Sequence, residues 1–124
     1  MNYNIKSTIF NNLDSICNLN TILASNTSSI SISEIAKSTN RADKVIGMHF
    51  MNPVPVMKLV EIISSEKTDI SLIPPVAEFL EETLGKGVVY AKDTPNFIAN
   101  RIGVYGMMVT LDESQKKNLS IEDV

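Results

Sequence analysis

Apolar residues along the chain follow two alternating rhythms. Over residues 5–16 they fall at helical spacing, with Ile5, Ile9, Leu13 and Ile16 on one stripe, which predicts an amphipathic helix. Residues 21–25 form a short apolar run leading into the polar cluster Ser25-Asn26-Thr27-Ser28-Ser29, as expected of a buried strand followed by a turn. Ser31-Ile32-Ser33-Glu34 has the SxxE form of a capping box and predicts a short helix carrying Ile35 and Ala36. Two more strands are expected at residues 45–51 and 59–63, and Pro53 and Pro55 between them argue against a continuous ladder.

The second half repeats the alternation. A helix opened by Asp69 or Ser71 is expected to run through Val76, Phe79, Leu80 and Leu84, with Gly85 as its C-cap. Pro74 and Pro75 fall in its first turn, where a missing N–H costs least. Residues 87–91 form the last expected strand. Thr94-Pro95 then reads as N-cap and first position of a long apolar helix over residues 96–113. Ser120 reads as the cap of a further helix, so the chain is expected to stop partway through a second, helical domain.

Strands that are apolar on both faces and alternate with helices predict an α/β fold with a largely parallel sheet covered on both sides. The expected division is residues 1–93 for the sheet domain and residues 94–124 for the start of the helical one. In such sheets function gathers at the carboxyl ends of strands, where Ser25-Asn26-Thr27-Ser28-Ser29 and His49-Phe50-Met51-Asn52 both fall.

Composition narrows the chemistry. A chain of 124 residues can bury roughly two thirds of its unfolded surface, enough for one real core. Eleven basic and fourteen acidic residues give a net charge of -3 without a Lys/Arg cluster, so nucleic acid is not an expected partner. No apolar stretch approaches the roughly 20 residues of a bilayer span, and the N-terminus lacks the basic-then-apolar pattern of a signal peptide. The expectation is a soluble, cytoplasmic chain with no membrane association. A single cysteine, Cys17, and a single histidine, His49, leave neither an internal disulfide nor a metal ligand set. Cys17 has no basic neighbour in the sequence to activate it.

His49 is the obvious titratable group near neutral pH, and Glu61, twelve positions on, is the lone acid in Lys58-Leu59-Val60-Glu61-Ile62-Ile63. A carboxylate orienting an imidazole makes a general base, although spacing alone does not bring the two together. A structural histidine satisfied by a nearby carbonyl is the competing reading. Glu61 lies either at a sheet edge or buried, and burial without a partner would cost several kcal/mol. His49 and Lys58 are the local candidates; three positions away in one strand, Lys58 would point to the opposite face. Ser28 is equally an ordinary turn residue, and Asn100 equally a polar position on an amphipathic helix. A hydrolase triad of Ser28, His49 and Glu61 is disfavoured because no GxSxG elbow surrounds the serine.

Three segments, in order and spacing, resemble the L-3-hydroxyacyl-CoA dehydrogenase family. They are Ser25-Asn26-Thr27-Ser28-Ser29, then Gly47-Met48-His49-Phe50-Met51-Asn52-Pro53-Val54-Pro55-Val56-Met57-Lys58-Leu59-Val60-Glu61, then Lys92-Asp93-Thr94-Pro95-Asn96-Phe97-Ile98-Ala99-Asn100-Arg101. The resemblance runs from about Ile5 onward; Asn96 stands where many members carry glycine. It implies the second half of a Rossmann-like sheet and an NAD-dependent oxidation of the 3-hydroxyl of an acyl-CoA. It further implies His49 as the base and Glu61 as the group that holds its imidazole. Ser28 and Asn100 would bind the substrate oxygen, with Ser28 also near the cofactor, and Asn52 would contact the nicotinamide end. The complete enzyme is implied to be a homodimer. The family's GxGxxG turn does not occur among Gly47, Gly85, Gly87, Gly103 and Gly106. The chain is therefore expected to be a middle piece lacking the first nucleotide-binding half, with an apolar sheet edge prone to pairing.

Overall fold

The computed structural model describes residues 2–123. Helix α1 spans Tyr3–Ile16, with the Asn2 side chain accepting the Asn4 N–H at its start. Arg41 closes the other end: its guanidinium donates to the carbonyls of Asp14, Cys17 and Asn18, and its Nε lies 2.6 Å from the Asp14 carboxylate. These bonds fix the roll of the helix. Phe10, Leu13 and Cys17 face the core, whereas Ile5, Ile9 and Ile16 are exposed. The buried stripe shares only Leu13 with the one that periodicity suggests, because Asp14 is committed to Arg41 and the bulk of Phe10 goes inward.

The sheet has four strands in the order β1 (Leu23–Ser25), β2 (Val45–Phe50), β3 (Leu59–Ser64) and β4 (Gly87–Lys92). It is mixed. Pairs β1/β2 and β3/β4 are parallel, as the sequence leads one to expect, and β2/β3 is antiparallel. The physical reason lies in the connection 51–58, which is shorter than the dozen or so residues a parallel crossover needs. Lys86 Nζ ties this connection down by donating to the carbonyls of Val54 and Met57 at 2.6 and 2.9 Å. Lys58 lies before β3 rather than within it.

Alternation along β2 and β3 divides the core between two faces. Val45 and Ile63 pack under α1 and the short helix α2 (Ile32–Ala36), with Phe10, Leu23, Ile32 and Ile35. Ile46, Val60 and Ile62 pack on the other face against Val76, Ala77 and Leu80. Those last three belong to helix α3 (Ile73–Glu78) and its continuation, a π turn over Phe79–Thr83. Each fully buried isoleucine contributes on the order of 2 kcal/mol of apolar burial. Gly47 sits where α2 crosses β2: a Cβ there would lie 2.9 Å from both Ile32 Cδ1 and Ile63 Cβ.

The ends of α3 follow the sequence cues. Asp69 accepts the Ser71 N–H ahead of the helix, Pro74 and Pro75 follow Ile73 in its first turn, and Gly85 ends the π turn at φ 63°. The capping box of α2 is only half formed. Ser31 Oγ receives the Glu34 N–H, but the Glu34 side chain pairs with Lys37, and Asp93 takes the Ser31 hydroxyl and the Ile32 and Ser33 amides.

Helix α4 spans Ala99–Lys116. It starts later than the Thr94-Pro95 cue suggests, because Asn96 and Phe97 adopt left-handed conformations, φ 65° and 46°, that no helix can absorb. Its apolar residues, including Ile102, Tyr105 and Met108, are exposed. Ser120 opens a single 3-10 turn over Ile121–Asp123 and bonds to the Asp123 carboxylate through both its N–H and its hydroxyl. No helix among the described residues is long and apolar enough to cross a membrane.

Candidate functional site

His49 and Glu61 are direct cross-strand partners in the antiparallel pair β2/β3. Residues directly opposite across such a pair project to the same face, so the two side chains meet because of the register. Nδ1 of His49 lies 2.7 Å from Glu61 Oε2, and both residues are buried, at 4% and 1% exposure. The buried carboxylate is fully engaged, since Oε1 accepts the N–H groups of Ile98 and Ala99, each at 2.8 Å. Glu61 thus supplies from another strand the cap that the Ile98 side chain cannot offer to α4.

With Glu61 ionised and the imidazole neutral, this contact is an Nδ1–H donating to the carboxylate, the tautomer in which Nε2 carries the lone pair. Among the described residues Nε2 has no hydrogen-bond partner. The ring of buried Phe97 stands against the imidazole, with centroids 5.5 Å apart and planes tilted by 58°.

The polar loop after β1 is tied to the same end of the sheet. Asn26 Oδ1 accepts the N–H of Phe50, the residue after His49, at 3.1 Å. Thr27 is buried, and its hydroxyl accepts the Ile30 N–H at 3.0 Å. Asn100 Nδ2 reaches the backbone carbonyl of Ser28 at 3.5 Å, at the long limit of a hydrogen bond. Ser28 is half-buried, Asn100 half-buried, and Asn52 exposed on the connection after β2. Thus His49 and Glu61 are in contact, Asn100 follows directly on the amides that Glu61 caps, and Asn100 meets Ser28. Asn52 makes no side-chain hydrogen bond to these residues.

Sequence reasoning missed two members of this neighbourhood. Phe97 gave no polar signal, and its position at an elbow is visible only from its backbone angle. Asp93 sits 62 positions from Ser31, with no local pattern linking them. Burial acts to raise the Asp93 carboxyl, but the hydrogen bonds from Ser33, Ser31 and Ile32 outweigh it and hold the group below the usual carboxylate range. By clamping α2 to the end of β4, Asp93 fixes the start of the segment that leads to Phe97.

The family model for the NAD binding domain of 3-hydroxyacyl-CoA dehydrogenase matches residues 1–94. The 3-hydroxybutyryl-CoA dehydrogenase of Clostridioides difficile is 54% identical over 99 residues, covering 80% of this chain and 35% of that protein. The human mitochondrial hydroxyacyl-coenzyme A dehydrogenase is 42% identical over 123 residues, covering 99% of this chain and 39% of that protein. The chain therefore spans little more than a third of the length of these relatives. The crystal structure of the 3-hydroxyacyl-CoA dehydrogenase of Archaeoglobus fulgidus superposes with a TM-score of 0.82 at 33% identity, over 98% of this chain and 41% of that one. With a matching family model over three quarters of its residues, relatives that are oxidoreductases and the same Rossmann-like architecture, the chain belongs to the 3-hydroxyacyl-CoA dehydrogenase family.

Proposed function

We propose that this chain carries the proton-transfer half of an NAD-dependent (S)-3-hydroxyacyl-CoA dehydrogenase, which forms a 3-oxoacyl-CoA. The observation that carries this reading is the buried 2.7 Å contact between His49 Nδ1 and Glu61, which leaves Nε2 with an available lone pair. His49 Nε2 takes the proton of the substrate hydroxyl as the C–H electron pair leaves as hydride and the carbonyl forms. Glu61 holds the imidazole through Nδ1–H and stabilises the imidazolium that results. Ser28 and Asn100 hydrogen-bond the substrate oxygen, and Asn52 lies toward the nicotinamide end.

The donor set suits the nicotinamide end of NAD. Ser28 and Asn52 are polar residues on loops after the carboxyl ends of β1 and β2, the end of the sheet where His49 lies, and Nε2 of His49 has no hydrogen-bond partner among the described residues. NAD, when bound, supplies the hydride acceptor. The 124 residues contain no GxGxxG turn for the pyrophosphate, so the remainder of the cofactor site is taken to come from further protein. The exposed apolar residues of α4 support such further protein, including a second copy in the complete enzyme. The proposed compartment is the cytoplasm.

The test is NADH formation from NAD and (S)-3-hydroxybutyryl-CoA by this chain, alone and supplemented with a polypeptide carrying the GxGxxG half of a relative. Turnover that disappears in His49→Gln is the expected result. Absence of turnover in the supplemented mixture, with both components folded and associated, would overturn the reading. A non-catalytic assembly module is the second reading, favoured by the apolar exposure of α4. Elution of the chain as a stable, folded monomer would count against it.

A further inference from the structure

We propose that Phe97 is a positioning residue for His49, holding the imidazole in the one orientation in which Nδ1 meets Glu61. This role rests on the reading of His49 as the base.

The argument begins with backbone strain. A bulky residue with positive φ is a genuine outlier, and such residues persist only where their surroundings over-determine them. Asn96, at φ 65°, is of a type that tolerates the left-handed region, whereas Phe97, at 46°, is not. Glycine at position 97 would form the same elbow without that cost. What the phenylalanine adds is its ring, buried at 3% exposure and set 5.5 Å from the imidazole centroid at a 58° tilt. That geometry lies within the range of favourable tilted aromatic pairs.

The need for such a ring follows from the histidine. Rotation about the bond that carries the imidazole is broad, so a single hydrogen bond at Nδ1 selects the nitrogen that faces Glu61 but leaves the tilt of the ring plane loosely held. Glu61 fixes one edge of the ring; a second contact is required to fix its plane. Phe97 supplies that contact and is the only ring found against His49 among the described residues. The elbow that strains Phe97 also delivers the next two amides, those of Ile98 and Ala99, to Glu61 Oε1. One backbone feature thereby sets both neighbours of the base.

The contrasting explanation is that Phe97 is core filler, since it packs in the same cluster as Phe10, Leu23 and Ile32. The two differ in what happens to His49. Because the chain has a single histidine, its imidazole resonances in the 124-residue protein need no assignment. In the unmodified chain, cross-relaxation between the Phe97 and His49 rings, one ring orientation and a slowly exchanging Nδ1–H are expected. In Phe97→Leu and Phe97→Met the Nδ1–H signal is expected to be lost to exchange and the ring couplings to average, while Phe97→Tyr restores both. Phe10→Leu, in the same core, is expected to lower the melting temperature and leave the His49 signals in place. An averaging imidazole in the unmodified chain would overturn the proposal, and this result needs no variant to fold. So would a folded Phe97→Leu with an unchanged imidazole, or the same loss in Phe10→Leu. Missing dehydrogenase turnover alongside the expected spectra would instead overturn only the assignment of His49 as base.

Discussion

Glu61 and Ala99, 38 positions apart, are joined by a 2.8 Å hydrogen bond from the backbone N–H to the carboxylate oxygen that His49 does not use. The start of α4 and the orientation of the imidazole therefore depend on one buried side chain. Glu61→Gln retains a single acceptor oxygen, so it cannot serve the two amides and Nδ1–H together. The expected loss of stability is on the order of 2 kcal/mol. For Glu61→Ala, which leaves all three donors unpaired, it is about 3–5 kcal/mol by analogy with broken buried pairs. Urea midpoints measure both, and hydrogen exchange at Ile98 and Ala99 should accelerate in step. A midpoint unchanged in Glu61→Gln would show that the carboxylate does not hold the helix.

What the sequence made legible is what short-range physics controls. Period and punctuation placed α1, the four strands, the prolines at the start of α3 and Gly85 at its end. A lone acid in an apolar run demanded a partner, with His49 among the candidates, but the antiparallel register that sets His49 opposite Glu61 was not read from the sequence. The rest depends on contacts that no local pattern encodes. Asp93, arriving from the end of β4, takes the Ser31 hydroxyl and the Ile32 and Ser33 amides at the start of α2, while the Glu34 side chain pairs with Lys37 instead of closing the capping box. Thr94-Pro95 has every local mark of a helix start, yet α4 waits for Ala99 because Glu61 caps it there. The roll of α1 depends on the Arg41–Asp14 pair, 27 positions apart.

Two glycines should respond in opposite directions to alanine. At Gly47 an added Cβ would meet Ile32 and Ile63 at 2.9 Å, and Ile63 Cβ is anchored directly to its strand. Gly47→Ala is expected to cost about 1–3 kcal/mol through overpacking. Gly103, in the exposed body of α4, has nothing within 4 Å of an added Cβ, so Gly103→Ala should stabilise by about 1 kcal/mol through helix propensity. Thermal melts of the two variants give the comparison. Equal effects would contradict the close approach of α2 to β2.

Arg41 and Lys37 both form ion pairs, and only one should matter for stability. Arg41 is buried against Asp14 and also satisfies the carbonyls at the end of α1, whereas Lys37 and Glu34 are an exposed pair three residues apart. Arg41→Lys loses the planar fork that reaches several acceptors at once, so it should destabilise the chain and speed amide exchange in the last turn of α1. Lys37→Ala should leave the melting temperature within error. A stable Arg41→Lys variant would mean that packing of Phe10, rather than the guanidinium, sets the roll of the helix.

Asp93 makes the clamp on α2 sensitive to acid. Its carboxyl titrates below the ordinary aspartate value of about 4 in the folded chain, while in the unfolded chain it returns to that value. As pH falls, the unfolded state takes up the proton first. The stability held by Asp93 is therefore complete above the ordinary value and is lost as pH drops through the lower folded one. Asp93→Asn removes this titration, so the variant should melt below the unmodified chain at neutral pH and the gap should close in acid. Asp14 and Asp69 are also held low, by hydrogen bonds led by the Asn40 and Ser71 amides respectively, and they titrate in both proteins. The difference between the two melting curves, followed from neutral to about pH 2, isolates Asp93 from that shared background. A gap that stays constant over this range would show that the hydrogen bonds to Ser31, Ile32 and Ser33 do not depend on the charge of the carboxylate.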